Sequence, residues 1–433
     1  MDVQILNRDA HAISRKNFSS ASLRVLYGLK DAGFDAFVVG GAVRDLLLGV
    51  VPKDFDIATN ATPEEIQRTF RSCRLVGRRF RIAHVRFGGE IIEVTTFRGS
   101  GDGEEGERRV EEGGRILRDN VFGSIAEDAK RRDFTVNALY YNIADFAVTD
   151  FEGGVADLEK RQLRLIGDAE TRYREDPVRM LRAARLAAKL NFTLEPVTEA
   201  AITPLIGLLA EIPPARLFDE IQKLFLSGHA RASWRELMRL KLFGQLFPSL
   251  TRAVLEPSLG LIAAAIENTD RRVAQGRPVT PAFLFAVLGW ALYQHRHGKQ
   301  ALGFDAQNIA FDRALDDIGR RVALTRRFAT QVREIWDLQD RLTDTTPSRA
   351  KRLLPSARFR AAYDFLLLRA QADSTLAECA ECWTRAQEPS ADLDDIFALY
   401  QEGPEQAPRP AAKRRKRKRS AATRAPQVLA PAR

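Results

Sequence analysis

The chain has 433 residues, room for two or three domains with cores of their own, and its 45% apolar content is ordinary for a water-soluble protein. The longest apolar stretch, Ala282 to Tyr293, falls short of the roughly 20 residues a bilayer span needs, and Met1 to Lys16 holds no apolar core of a secretory leader. The net charge of +10 is concentrated: Gly403 to Arg433 carries ten Lys or Arg against Glu405 alone, so the tail holds +9 and the preceding chain +1.

Three cysteines, Cys73, Cys379 and Cys382, are too few for a disulfide framework, and Cys379-x-x-Cys382 has no second pair for zinc. A reducing compartment, the cytoplasm, is the expectation. In chain order, Ser22 to Ala32 reads as an amphipathic helix ahead of an apolar strand, Ala36–Val39. Gly40-Gly41 closes that strand and a helix follows with Arg44 and Asp45. Thr62-Pro63-Glu64-Glu65 combines an N-cap, a first-turn proline and a capping glutamate. Phe80–Phe87 and Glu90–Phe97 form a hairpin pattern around Gly88-Gly89. Gly99 to Gly114 is Gly- and Glu-rich without periodicity, which predicts a mobile loop near the site. Ser124-x-x-Glu127 predicts a helix running through Tyr140, and Gly153 to Ile166 reads as another hairpin. From Asp176 to about Gln387 the periodicity is helical, broken at Pro213-Pro214, Phe247-Pro248, Pro281 and Pro347. Beyond Gln401 the Pro-, Ala- and Arg-rich composition predicts disorder. The outline is an α+β head over residues 1–165, a helical neck over 166–230, a helical body over 231–400 and a basic tail over 401–433.

Asp54 and Asp56 alternate on an apolar strand, so both carboxylates share one face. Like charges so close repel unless a cation lies between them, and Mg²⁺ favours one or two carboxylates with waters and phosphates. Gly-Gly allows backbone N–H groups to approach a phosphate at the following helix. An Asp-x-Asp alone is commonly just a solvated strand end; its company here points to a metal-dependent nucleotide site. Nucleotidyl transfer gains from two metals about 3.5–4 Å apart, which a third acid helps to fix. Glu93, interrupting Ile91-Ile92-Glu93-Val94, and Asp128 are the two candidates for that third catalytic acid. Asp128 is the one assigned, although an i,i+4 pair with Arg132 would explain it equally. Asp133 and Asn137 fall on one face of the expected helix and suit ribose hydroxyls. Glu175-Asp176-Pro177-Val178-Arg179 sets two carboxylates within reach of a guanidinium, an acceptor and donor pair able to read a base edge. Each of these also reads as an ordinary helix-surface salt bridge.

Gly-Gly-x-Val-Arg-Asp, Asp-x-Asp, Arg-Arg-Asp-Phe-Thr-x-Asn and Glu-Asp-x-x-Arg, in this order over Ala36 to Phe192, resemble the nucleotidyltransferase class that contains bacterial poly(A) polymerases and tRNA CCA-adding enzymes. The resemblance implies a polymerase-β-type head followed by helical domains. It also implies metals on Asp54 and Asp56, and triphosphate on Gly40, Gly41 and Arg44. Arg132, Asp133 and Asn137 would meet the ribose, and Glu175, Asp176 and Arg179 the base. Leu75 to Val85, Ile212-Pro213-Pro214-Ala215-Arg216-Leu217, Phe359-Arg360-Ala361-Ala362-Tyr363-Asp364 and the basic end resemble the poly(A) polymerase branch. ATP and RNA 3′ ends are then the expected substrates, with Mg²⁺ as cofactor. A CCA-adding enzyme is the alternative on the same scaffold, and an RNA-binding protein with an inactive head the alternative of another class. The Lys413 to Arg419 run suits RNA phosphates without base stacking. No protein partner can be named from the sequence.

Overall fold

The computed structural model describes residues 3–77, 81–99, 108–110, 116–119, 121–298 and 302–401. Alternation of apolar residues builds an eight-stranded mixed sheet from β1 (Gln4–Leu6), β2 (Ala36–Val39), β3 (Asp56–Thr59), β4 (Cys73–Val76), β5 (Ile82–Phe87), β6 (Glu90–Thr96), β7 (Leu139–Asn142) and β8 (Val148–Asp150). Their order is β1-β8-β7-β2-β3-β6-β5-β4, antiparallel except where β3 runs parallel to β6. One face buries a row in register, Val38, Ile57, Val94 and Ala83. That row packs under α1 (Ser20–Asp31), which supplies Val25, Leu26 and Leu29, and beside α3 (Pro63–Thr69). The opposite face carries Asp56 and Glu93 and is exposed there.

The expected helix before β2, the strand itself, and the β5–β6 hairpin around Gly88-Gly89 are all present. So is the Thr62 capping box, in which Glu65 Oε2 accepts from the Thr62 N–H at 2.8 Å. The Ser124 box opens α4 (Ile125–Arg131), yet this helix stops at Arg131 instead of continuing to Tyr140. Arg132 is extended, Thr135–Asn137 makes one 3₁₀ turn, and Leu139 enters β7. Aromatic and β-branched residues from Phe134 to Val136 disfavour further helix, and Tyr140 and Tyr141 are completely buried in the sheet.

Gly153 to Ile166 is not a hairpin. Asp150 accepts the N–H groups of Gly154 and Val155 and so starts α5 (Gly154–Glu159). Gly154 is required there, since a Cβ would lie 2.3 Å from the Thr135 carbonyl oxygen. Gln162–Leu163 then pairs in parallel with Thr193–Leu194. In the region expected to be a mobile loop, Arg108–Val110 pairs with Ile116–Asp119 just beyond it, and the Gly99 N–H donates to the Val121 carbonyl; the loop's other residues, like the expected disordered tail, lie outside the described residues.

Downstream come α6 (Ala169–Glu175), α7 (Val178–Leu190), α8 (Pro214–Phe225), α9 (Pro281–His297), α10 (Arg326–Thr343), α11 (Phe359–Ala372) and α12 (Ala377–Arg385), with shorter helices between. The prolines at 214, 281 and 347 open helices, where their missing N–H costs nothing. Cys379 and Cys382 are buried on α12, Cys379 donating to the Leu342 carbonyl, as ordinary core cysteines. None of the described helices is long and apolar enough to cross a membrane.

The body turns on Trp336, fully buried in α10, with Nε1 donating to the Ala286 carbonyl at 3.0 Å and its ring against Gly289 of α9. Trp336→Ala should cost about 3–5 kcal/mol of body stability. Calorimetry should show unfolding at a lower temperature.

Candidate active site

β2 ends at Gly40, whose φ of +72° a side chain would strain, and α2 (Gly41–Leu47) starts immediately. A Cβ on Gly40 would also lie 3.3 Å from Arg132 Nη1. The turn therefore holds its backbone and the Arg132 guanidinium close together. Opposite Val39 stands Asp56, the first residue of β3; Asp54 precedes the strand, but buried Phe55 between them preserves the expected alternation. Register sets Glu93 of β6 directly beside Asp56. Burial, then the neighbouring Glu93 charge, push the Asp56 carboxyl up to about 6 against the pull of Arg132, and Asp54 adds to the rise. A crowded acid row of this kind is what a divalent cation would relieve. Among the described residues no three His, Cys, Asp or Glu side chains form a ready metal cage.

Asp128 has a different environment. It is 1% exposed, and its Oδ2 accepts from Tyr140 Oη at 2.6 Å and from Arg132 Nη2 at 3.0 Å. Its Oδ1 accepts from the Arg98 N–H at 3.2 Å. Burial opposes its charge, but Arg132, Arg98 and Tyr140 together hold its carboxyl below the usual range. Asp128 thus fixes Arg132, the i,i+4 role its spacing offered, while the acid beside Asp56 is Glu93.

Arg44 is buried on α2. Its Nη1 donates to Asn137 Oδ1 at 2.6 Å, and its Nε and Nη2 donate to Asp45 Oδ1. Asn137 Nδ2 donates to Asp133 Oδ1 at 3.1 Å, and Asp133 Oδ2 accepts Nε of Arg182 on α7 at 2.8 Å. Burial would raise the Asp133 carboxyl, but the Arg182 charge and the Asn137, Arg182 and Phe134 hydrogen bonds drive it far below the carboxylate range. Asp133 and Asn137 meet as expected, across an extended step and a 3₁₀ turn instead of a helix face.

Glu175 ends α6. Its Oε2 accepts from Arg179 Nη1 at 3.1 Å and Arg172 Nη1 at 2.7 Å. Arg179 Nη1 also donates to the Arg172 carbonyl at 2.7 Å. Asp176 Oδ2 accepts from Arg216 of α8 at 2.6 Å. Sequence reasoning missed Arg172, which donates to the Arg131 and Arg132 carbonyls and ties neck to head, and it gave Arg182 and Arg216 no role. The Arg179-x-x-Arg182-x-x-Arg185 spacing was the available signal for Arg182.

A mixed sheet bearing an Asp-x-Asp beside a glycine turn, with a helical neck locked to it, defines a nucleotidyltransferase. The model of the poly A polymerase head domain matches residues 36–164. Those of a probable RNA and SrmB-binding site of polymerase A and of a polymerase A arginine-rich C-terminus match 191–254 and 299–421. Poly(A) polymerase I of Salmonella typhi is 48% identical over 97% of this chain and 92% of its own. The CCA-adding enzyme of Lactobacillus johnsonii is 42% identical, but over 50% of this chain and 52% of its own. The Bacillus stearothermophilus CCA-adding enzyme in complex with CTP superposes with a TM-score of 0.60 at 28% identity, over 86% of this chain and 82% of that one. The chain belongs to the bacterial poly(A) polymerase family, whose activity is polynucleotide adenylyl transfer. Enzymes of this class use divalent metal ions.

A carboxyl raised to about 6 destabilises the fold once it ionises. The folded protein holds the Asp56 proton longer than the unfolded chain, so this contribution to stability falls as pH rises from about 4 to 6. In the metal-free protein Asp56→Asn should therefore raise the melting temperature at pH 7–8, with the gain shrinking below pH 6 and vanishing below about pH 4. Melting curves across pH test this, and an unchanged or lowered melting temperature at pH 8 would contradict it.

Proposed function

We propose that the chain is a template-independent poly(A) polymerase that transfers AMP from ATP to RNA 3′ ends in the cytoplasm, promoting RNA processing and decay. The observation that carries this reading is the register of Asp56 with Glu93, with the Asp54 charge acting on Asp56, next to the Gly40 turn and the fixed Arg132. Asp54 and Asp56 would hold Mg²⁺, with Glu93 as the third acid in place of Asp128. When bound, the metal supplies charge neutralisation for the attacking and leaving oxygens. The 3′-oxygen bonds to the α-phosphorus as the bond to pyrophosphate breaks. The Gly40-Gly41 backbone and Arg44 would face the triphosphate, and Arg132 the ribose.

Asp133 and Asn137 orient the ribose through the arginines they already hold. Glu175 keeps the Arg179 fork rigid, and Arg216 does the same for Asp176, so that acceptor and donor read adenine with little conformational cost. The basic run from Lys413 to Arg419 would add affinity for RNA phosphates. A CCA-adding activity is the competing outcome; the Lactobacillus johnsonii CCA-adding enzyme matches 50% of this chain in sequence, against 97% for the Salmonella typhi poly(A) polymerase I.

Primer extension on a single-stranded, A-ending RNA with Mg²⁺ and each triphosphate in turn should give a long ladder with ATP alone. One or two additions of C and then A on a shortened tRNA would instead make it a CCA-adding enzyme. Asp54→Ala should abolish tailing and leave RNA affinity nearly unchanged. The two candidate acids separate in a second comparison. Glu93→Gln should lower tailing by about 10–100-fold, weaken apparent Mg²⁺ affinity and, by removing repulsion on Asp56, leave the melting temperature unchanged or raised. Asp128→Asn should instead lower the melting temperature and raise the KM for ATP by loosening Arg132.

A further inference from the structure

The polar row does not end at the carboxylates. Register continues it across the outer strands: Arg74 of β4 opposes His84 of β5, His84 opposes Glu93 of β6, and Glu93 opposes Asp56 of β3. Residues in register project from one face of a sheet, so these four side chains stand in line over about 14 Å, three strand spacings. His84 Nε2 stands 3.6 Å from Glu93 Oε1. One step along the same face, Arg86 opposes Ile91, whose side chain is 53% exposed. The helices α1 and α3 cover the other face, where Val85, Ile92 and Val94 are buried, and leave this side open.

The charges on this open side are not used up internally. Arg74 has no carboxylate partner among the described residues, and Arg86 donates only to the Gly88 carbonyl, at 3.2 Å. Most other arginines near the site, Arg44, Arg132, Arg172, Arg179, Arg182 and Arg216, are ion-paired. Two unneutralised guanidinium groups, an imidazole and an exposed isoleucine thus lead up to the acid pair from the sheet edge. Phosphates suit the first, and the face of a base or ribose suits the others.

We propose that this open face of β4, β5 and β6 seats the 3′-terminal segment of the RNA. Its last phosphates meet Arg74 and Arg86, its end lies over Ile91 and His84, and the reacting hydroxyl arrives beside Glu93 and Asp56. The inference rests on the nucleotidyl-transfer reading above. A protein could also use a charged sheet face, but this row runs into the acids where the reacting hydroxyl must stand, and that favours RNA.

The test uses the full chain carrying Arg74→Ala and Arg86→Ala together. Affinity for a single-stranded, A-ending RNA is measured over a salt series. Loss of two phosphate contacts should make the slope of log affinity against log salt shallower by roughly 1.4, with the primer KM raised about tenfold at low salt. The KM for ATP and the melting temperature should stay unchanged. In the unsubstituted chain, 4-thiouridine at the penultimate position of the RNA should crosslink within residues 73–96. An unchanged slope and affinity, or crosslinks confined to the helical body, would overturn the proposal. Should the double variant melt early, the crosslink in the unsubstituted chain decides alone. The two readings fail separately: an unsubstituted chain that tails RNA with an unchanged variant slope loses only the seat. One that extends no primer yet shows both the slope change and the crosslink loses only the transfer chemistry.

Discussion

Asp133 is a buried carboxylate between Arg182 on the neck and Asn137 on the head, and the geometry of the site hangs on that placement. The Arg182 side chain is 32% exposed, so removing one partner should cost less than the about 3–5 kcal/mol of a fully buried pair, but it still leaves the other charge without compensation. Here the bond also closes a relay. Asn137, held by Asp133, receives Arg44, and Arg44 is clamped from its other side by Asp45, which Lys189 of α7 approaches to 3.6 Å. Head and neck are thereby joined twice through the one helix, α7. Arg44, proposed to face the triphosphate, and α7, proposed to face the base, cannot shift independently while that relay holds.

The same sheet serves two purposes because its strands have two faces. Val38, Ile57, Val94 and Ala83 point to α1 and make the sheet rigid. One residue along, Val39, Asp56, Glu93 and His84 point the other way. A rigid platform is what crowded acids require, since repulsion between Asp56 and Glu93 would otherwise separate them. The raised carboxyl of Asp56 reflects desolvation first and that repulsion second, and a bound cation would offset both. Stability and reactivity are therefore opposed at Asp56 and aligned at Asp133, although both are acids of the same head.

Much of this was legible from residues alone. Period-two alternation set Asp54 and Asp56 on one side, and capping residues marked Thr62 and Ser124 as helix starts. What failed was the end of α4 and the segment after Asp150. Both depend on contacts distant in sequence: Thr135 Oγ1 donates to Asp157 at 2.7 Å, and Phe134 bridges to Leu165. A local pattern cannot anticipate a 3₁₀ turn imposed by a strand that forms thirty residues later. The choice between Glu93 and Asp128 was undecidable for a related reason. Helical spacing displays Asp128 beside Arg132, whereas the neighbourhood of Asp56 and Glu93 exists only once β3 and β6 pair.

The helical body enters the chemistry through the neck, and the hydrogen bonds show by what route. Arg321 donates to the carbonyls of Leu209 and Ala210, and the Ala323 N–H donates to the Pro214 carbonyl, so the turn before α10 grips the start of α8. Two residues into α8, Arg216 reaches Asp176 at 2.6 Å. A shift of the body against the neck would therefore move the carboxylate proposed to read the base, without touching the acids proposed to perform the transfer.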